Sequence, residues 1–213
     1  MSTDIAKFFS GYQVPDAKKL ADALAGFSAS KNSLTGKALL KLTKQGLWVF
    51  GIDSEILPQK TQLIAYPGSL SSGYVAWWLG KIEGETMQPL TSGPVDASKL
   101  PPVNSGSIPP GKKEASGRGW ETQASIEFMT QDSTPLHLIY KTSSLGGLKS
   151  LLTLAGEIAF GLSENPQRAY PLVSATEDFY IHKEWGKVFI PVLILEGWLD
   201  AEGKPVEEKR RLV

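Results

Sequence analysis

The residues of this chain best suited to chemistry are aromatic rings interleaved with lysines. Trp48 and Phe50 stand two apart, with Lys41 and Lys44 just before them. Tyr74, Trp77 and Trp78 are followed by Lys81, and Tyr140 is followed by Lys141. Tyr180, His182, Lys183, Trp185 and Lys187 crowd one short stretch near the C-terminal end. An exposed indole beside lysines is a stacking platform for unpaired bases, worth about 1–3 kcal/mol per base. The lysines would neutralise the accompanying phosphates. The competing use of the same rings is to fill a core. Adjacent Trp77 and Trp78 on a regular strand point to opposite faces, so they cannot both fill one core. Trp185 is the best stacking candidate, because a turn is a poor place to bury an indole. The candidate nucleic-acid-binding set is therefore Lys41, Lys44, Trp48, Phe50, Trp77, Tyr140, Lys141, Tyr180, Lys183, Trp185 and Lys187.

Other chemistries find little support. The chain has no cysteine, which excludes disulfides, thiolate metal sites and cysteine nucleophiles. Its two histidines, His137 and His182, leave little for a His-rich metal centre. Glu83 and Glu85 share a strand face and Glu177 adjoins Asp178, but no cluster of acids with a lysine is legible. No nucleophile elbow accompanies the histidines. The stretch Lys141-Thr142-Ser143-Ser144-Leu145-Gly146-Gly147-Leu148-Lys149 enters a helix and offers small residues to a phosphate, yet lacks the Walker spacing. A plain N-cap with tight helix-to-sheet packing is the favoured reading of it. The expectation is a non-enzyme with no catalytic residue, metal or cofactor.

Charge sharpens the picture. The 213 residues carry 22 basic and 22 acidic side chains, for a net charge of zero, which excludes binding driven by bulk charge. The balance is uneven, however. Residues 1–50 hold seven lysines against three acids, and 151–213 hold seven basic residues against ten acids. Lys31, Lys37, Lys41 and Lys44 fall within fourteen residues.

The elements that must position these residues follow from periodicity. Residues 4–27 read as helix, with Pro15-Asp16 suited to a helix start and Leu20, Leu24 and Phe27 at helical spacing, in an N-terminal helical segment, 1–30. From residue 37 the period becomes two, predicting strands over Leu40–Leu42 and Leu47–Gly51 about a Gln45-Gly46 turn. Strands are also predicted over Thr61–Tyr66 and Gly73–Ile82, joined by a Pro67-Gly68-Ser69 turn. Residues 88–119 hold six prolines and are expected to be a long loop, neither strand nor helix. Strands resume at 122–130 and 136–140. A helix then starts at Ser143 or Ser144, presents Leu148, Leu151, Leu152, Ala155, Ile158 and Leu162 as its apolar face, and ends at Asn165-Pro166. A closing hairpin turns at Glu184-Trp185-Gly186. Its second strand, Val188–Leu199, reads as buried on both faces. A charged tail, 201–213, is expected to fray. The order predicts a mainly β fold with α: an OB-like antiparallel barrel over 37–200, with one main helix before the C-terminal hairpin. A generic α+β sheet fits the same string.

Four segments bear a resemblance. They are Leu42 through Gly51, Gly73-Tyr74-Val75-Ala76-Trp77, Lys141 through Leu148, and Tyr180 through Trp198. They resemble proteins of tailed-bacteriophage genomes near replication and recombination genes. In size and layout the chain is most similar to phage OB-fold single-stranded-DNA-binding proteins. The resemblance implies single-stranded DNA, or RNA, as partner, with replication or recombination proteins and self-association as further partners. It also implies the host cytoplasm as location. No signal sequence or membrane partner is expected: the longest apolar stretch, Phe189–Leu195, is interrupted by Pro191 and far short of a span. Acidic tails recruit partners in such proteins, whereas this chain ends Glu207-Glu208-Lys209-Arg210-Arg211-Leu212-Val213, mixed in sign. Two other classes compete: an interaction or structural module using 88–119 as an arm, and an enzyme using Glu83, Glu85, Glu177 and Asp178.

Overall fold

The computed structural model describes residues 36–103, 117–132 and 134–207. The helix expected within 4–27, the middle of the 88–119 segment and the last residues of the tail lie outside them. The described chain is mainly β, with a strongly curled half-barrel sheet and one α-helix. The strands are β1 (Ala38–Leu42), β2 (Trp48–Phe50), β3 (Glu55–Ile56), β4 (Gln62–Trp78), β5 (Lys81–Pro89), β6 (Gly117–Thr130) and β7 (His137–Thr142). The helix α1 (Leu145–Glu164) then leads to β8 (Tyr170–His182) and β9 (Gly186–Leu199). The sheet order is β3-β2-β1-β7-β6-β4-β8-β9, with β5 joined to β4. Every pair is antiparallel except β1 with β7.

Alternation builds the core. Phe50, Leu40, Tyr140 and Ile126 are paired in turn across β2, β1, β7 and β6 and form one apolar row. Ala38, Leu138, Phe128 and Ala65 form the next, and Leu63, Val173 and Leu195 carry it into β8 and β9. Leu151, Leu154 and Ile158 of α1 pack onto this face.

The sequence misplaces several elements. Pro67-Gly68-Ser69 is not a hairpin turn but a bulge inside the single strand β4. The Ser69 hydroxyl donates to the Tyr66 carbonyl at 2.6 Å and accepts the Glu127 N–H at 2.9 Å, replacing lost ladder bonds. The bend lets one edge of β4 serve two neighbours, β8 at its start and β5 at its end. The true turn is Leu79-Gly80, both at positive φ as a two-residue hairpin requires. Strand β5 runs to Pro89, and short 3₁₀ turns at Leu90–Ser92 and Ala97–Lys99 follow, so the start of 88–119 is not structureless.

Helix α1 begins and ends as expected, with the Ser144 hydroxyl accepting the Gly147 N–H at 3.1 Å. Its buried face differs: it is Gly147, Leu151, Leu154, Ile158 and Gly161, while Leu152 and Leu162 point outward. By length and composition alone α1 could cross a membrane; here its inner face belongs to the core. Strand β9 is not buried on both faces, since Ile194 and Glu196 are exposed. It is an edge strand. Pro191, lacking an N–H, costs no ladder bond at an outward position, and the outward Leu193 N–H donates to Ser150 of α1 at 3.0 Å. Residues 200–206 double back, the Asp200 side chain accepting backbone N–H groups from Lys204 and Glu202. The Lys204 bond foremost holds that carboxyl below its usual range. Val206 N–H then reaches the Trp198 carbonyl at 2.9 Å.

Two helix glycines give opposite expectations. A Cβ on Gly161 would collide with the Trp198 ring, whereas one on Gly156 meets nothing within 4 Å. Gly161→Ala is expected to lower stability by about 1–3 kcal/mol in a denaturant titration. Gly156→Ala should raise it by about 0.5–1 kcal/mol through helix propensity.

Candidate functional site

The curl of the sheet brings its first hairpin against its last. Trp48 of β2 donates its indole N–H to the Thr176 carbonyl of β8 at 2.9 Å. The turn between β1 and β2 needs Gly46, at φ 79°, and a Cβ there would stand 2.6 Å from the Phe189 ring of β9. Between these contacts the half-barrel leaves an open seam, and the seam holds a cleft of about 760 Å³.

Three stretches distant in sequence line the cleft. The β1–β2 hairpin gives Lys41, Leu42, Thr43 and Lys44. The end of β7 and the cap of α1 give Tyr140, Lys141, Thr142 and Ser144. The β8–β9 hairpin gives Trp185, Lys187, Val188, Phe189 and Pro191. Among the described residues the lining thus holds four lysines and no carboxylate. The N-terminus of α1 adds its partial positive charge at the same place.

Each cation is held differently. Lys41 and Lys44 are exposed on the hairpin. Lys141 pairs with Glu85 of β5 at 3.0 Å, half-exposed. The Lys187 ammonium lies over the Phe179 and Phe189 rings, 3.9 and 4.5 Å from their centroids, which fixes it without a counter-charge. Trp185 is 72% exposed. One indole face stacks on the His182 imidazole at 4.2 Å and 13°. The imidazole Nδ1 in turn accepts the Glu184 N–H at 3.1 Å.

Of the sequence-predicted set, Lys41, Lys44, Tyr140, Lys141, Trp185 and Lys187 meet in the cleft. Trp48, Phe50 and Tyr140 are core residues, 5%, 6% and 4% exposed, and no ring face is left for a base. Trp48 meets Tyr140 edge-on at 5.4 Å. Tyr140 reaches the cleft only as part of its wall. Trp77 is partly exposed but lies elsewhere, on β4 five residues past Ser72, which faces the last β6–β7 pair, about 16 Å along the strand. Tyr180 and Lys183 are exposed on the β8–β9 hairpin outside the lining. Sequence reasoning missed Leu42, Thr43, Val188, Phe189 and Pro191, while Thr142 and Ser144 belong to the helix-entry stretch it weighed as a phosphate contact. Only the hydroxyls of the helix-entry stretch carried a signal. Among the described residues, no three His, Asp or Glu side chains group to hold a metal.

No protein-family model, curated protein or solved structure matches this chain.

Burial pushes the Tyr140 phenol up to about 12, with its hydrogen bond to Thr142 partly offsetting. The unfolded phenol ionises near 10. Between these values the unfolded state binds fewer protons, so Tyr140 contributes stability that is present below pH about 10 and lost as pH rises towards about 12. Denaturant titrations across that window should show this fall, and Tyr140→Phe should flatten it.

Proposed function

We propose that this protein binds single-stranded DNA with little sequence preference, along the seam of an OB-like open barrel. The observation that carries the reading is the convergence of Lys41, Lys44, Lys141, Lys187 and exposed Trp185 on one cleft with no lining carboxylate. A base stacks on the free face of Trp185, above the apolar floor of Val188 and Phe189. The phosphates pass over the four ammonium groups, and at Lys141 a phosphate competes with Glu85. RNA offers the same rings and phosphates, so the contacts accommodate it. The half-barrel with one helix before a C-terminal hairpin supports the OB-like reading. The resemblance of the four segments supports a setting in phage DNA replication or recombination, in the host cytoplasm.

An unstructured oligodeoxynucleotide should quench the tryptophan fluorescence in a salt-dependent way; no quenching and no gel shift at low salt would overturn the reading. With four lysines the slope of log K against log salt should be no steeper than about −2.8. Replacing Lys41 and Lys44 by alanine should flatten it by about 1.4. Trp185→Ala should weaken binding about 5- to 100-fold, the loss of one stacked base.

A further inference from the structure

Helix α1 is apolar on the side the core does not use. Leu145 is 86% exposed, Leu152 72% and Phe160 63%, and Leu162 also points outward. Leu145, Leu152 and Phe160 lie on one stripe, at steps of seven and eight residues, about 22 Å from end to end. Between them stand Lys149 and the open surface of Gly156. Nothing in the seam needs this stripe, because the cleft touches α1 only at its cap, Ser144.

We propose that this stripe is the docking surface for the chain's own residues 15–27. The observations match in length, pattern and reach. Leu20, Leu24 and Phe27 recur at helical spacing behind the Pro15-Asp16 start, which gives one apolar edge and a segment about 20 Å long as helix. The stripe on α1 is of the same length. Residues 28–35 can extend to about 26 Å, and they lead into β1. Strand β1 is parallel to β7, the strand that runs directly into α1, with Ala38 opposite Leu138. The linker's reach of about 26 Å is the span available for the crossing from β1 to the helix that follows its neighbour β7. A segment this short is a marginal helix by itself in water. Apolar burial against Leu152 and Phe160 supplies what it lacks, and removes from solvent a patch that soluble monomers rarely leave bare.

Hydrogen exchange on the unmodified full-length chain tests the docking without any variant. Amides of 20–27 should exchange at least about tenfold slower than free-peptide rates, by an amount independent of protein concentration. Free-peptide rates would overturn the proposal. The absence of native cysteine makes the location testable too. Leu24→Cys is combined in turn with Leu145→Cys, Leu152→Cys, Phe160→Cys and, as control, Thr86→Cys on β5. At least one α1 pair should cross-link within the monomer faster than the control. Cross-linking no faster than the control, or only between chains, would overturn it, the latter making a second copy the occupant.

Discussion

The structure depends on closing a curled sheet that its strands do not close by hydrogen bonding. Strands β3 and β9 are free edges, so the ladder alone leaves an open trough. Trp48 resolves this. Its ring is buried against Tyr140 and its N–H reaches the carbonyl of Thr176, joining the second strand to the eighth. An indole can do both because it combines a large apolar body with one donor. The contact draws the β1–β2 turn onto Phe189, and Gly46 is there because any side chain would strike that ring. The cleft is what remains where two hairpins are held close but unpaired.

That origin explains its electrostatics. A zero net charge argues against nucleic-acid binding only if charge is spread evenly. Here the basic N-terminal stretch contributes Lys41 and Lys44 to one wall of the seam. From the acidic C-terminal third, the other wall takes Lys187 with the uncharged Trp185, Val188, Phe189 and Pro191, while Glu177 and Asp178 are exposed on β8, outside the lining. Glu85, which arrives from β5, is already paired with Lys141. The fold therefore sorts charge that the sequence mixes.

Local signals were legible and long-range ones were not. The helix cap at Ser144, the Gln45-Gly46 turn and the exposed turn at Trp185 follow from neighbours a few residues apart. The burial of Trp48 and Phe50 was also within reach. Pairing β2 with β1 sets Trp48 opposite Leu42 and Phe50 opposite Leu40, an all-apolar face. Reading β2 without its partner strand made the same rings look like a stacking surface. The Pro67-Gly68-Ser69 bulge could not be read this way. It is stabilised by Glu127, 58 residues away, and local chemistry alone describes a turn. The cleft is a harder case still, since its three walls are separated by about a hundred and by about forty residues and meet only through the curl.

The outer half of the β8–β9 hairpin sets the terms on which the site can work. Among the described residues, strand β8 pairs with β4 only over Leu172–Ser174, and from Glu177 outward its sole strand partner is β9. A two-stranded ribbon is marginal in isolation. What steadies this one is side-chain packing: Phe179 against Phe189 at 6.2 Å, Lys187 above both, and Phe189 against Gly46. The same residues line or flank the cleft. On the proposed function, ordering of the arm and occupation of the seam would be coupled, because a ligand resting on Trp185 and Lys187 would add contacts to the least supported part of the sheet. Affinity then depends on how well the arm is already held. On the proposed function, Phe179, which lies outside the lining, would bear on binding only through Lys187 and Phe189.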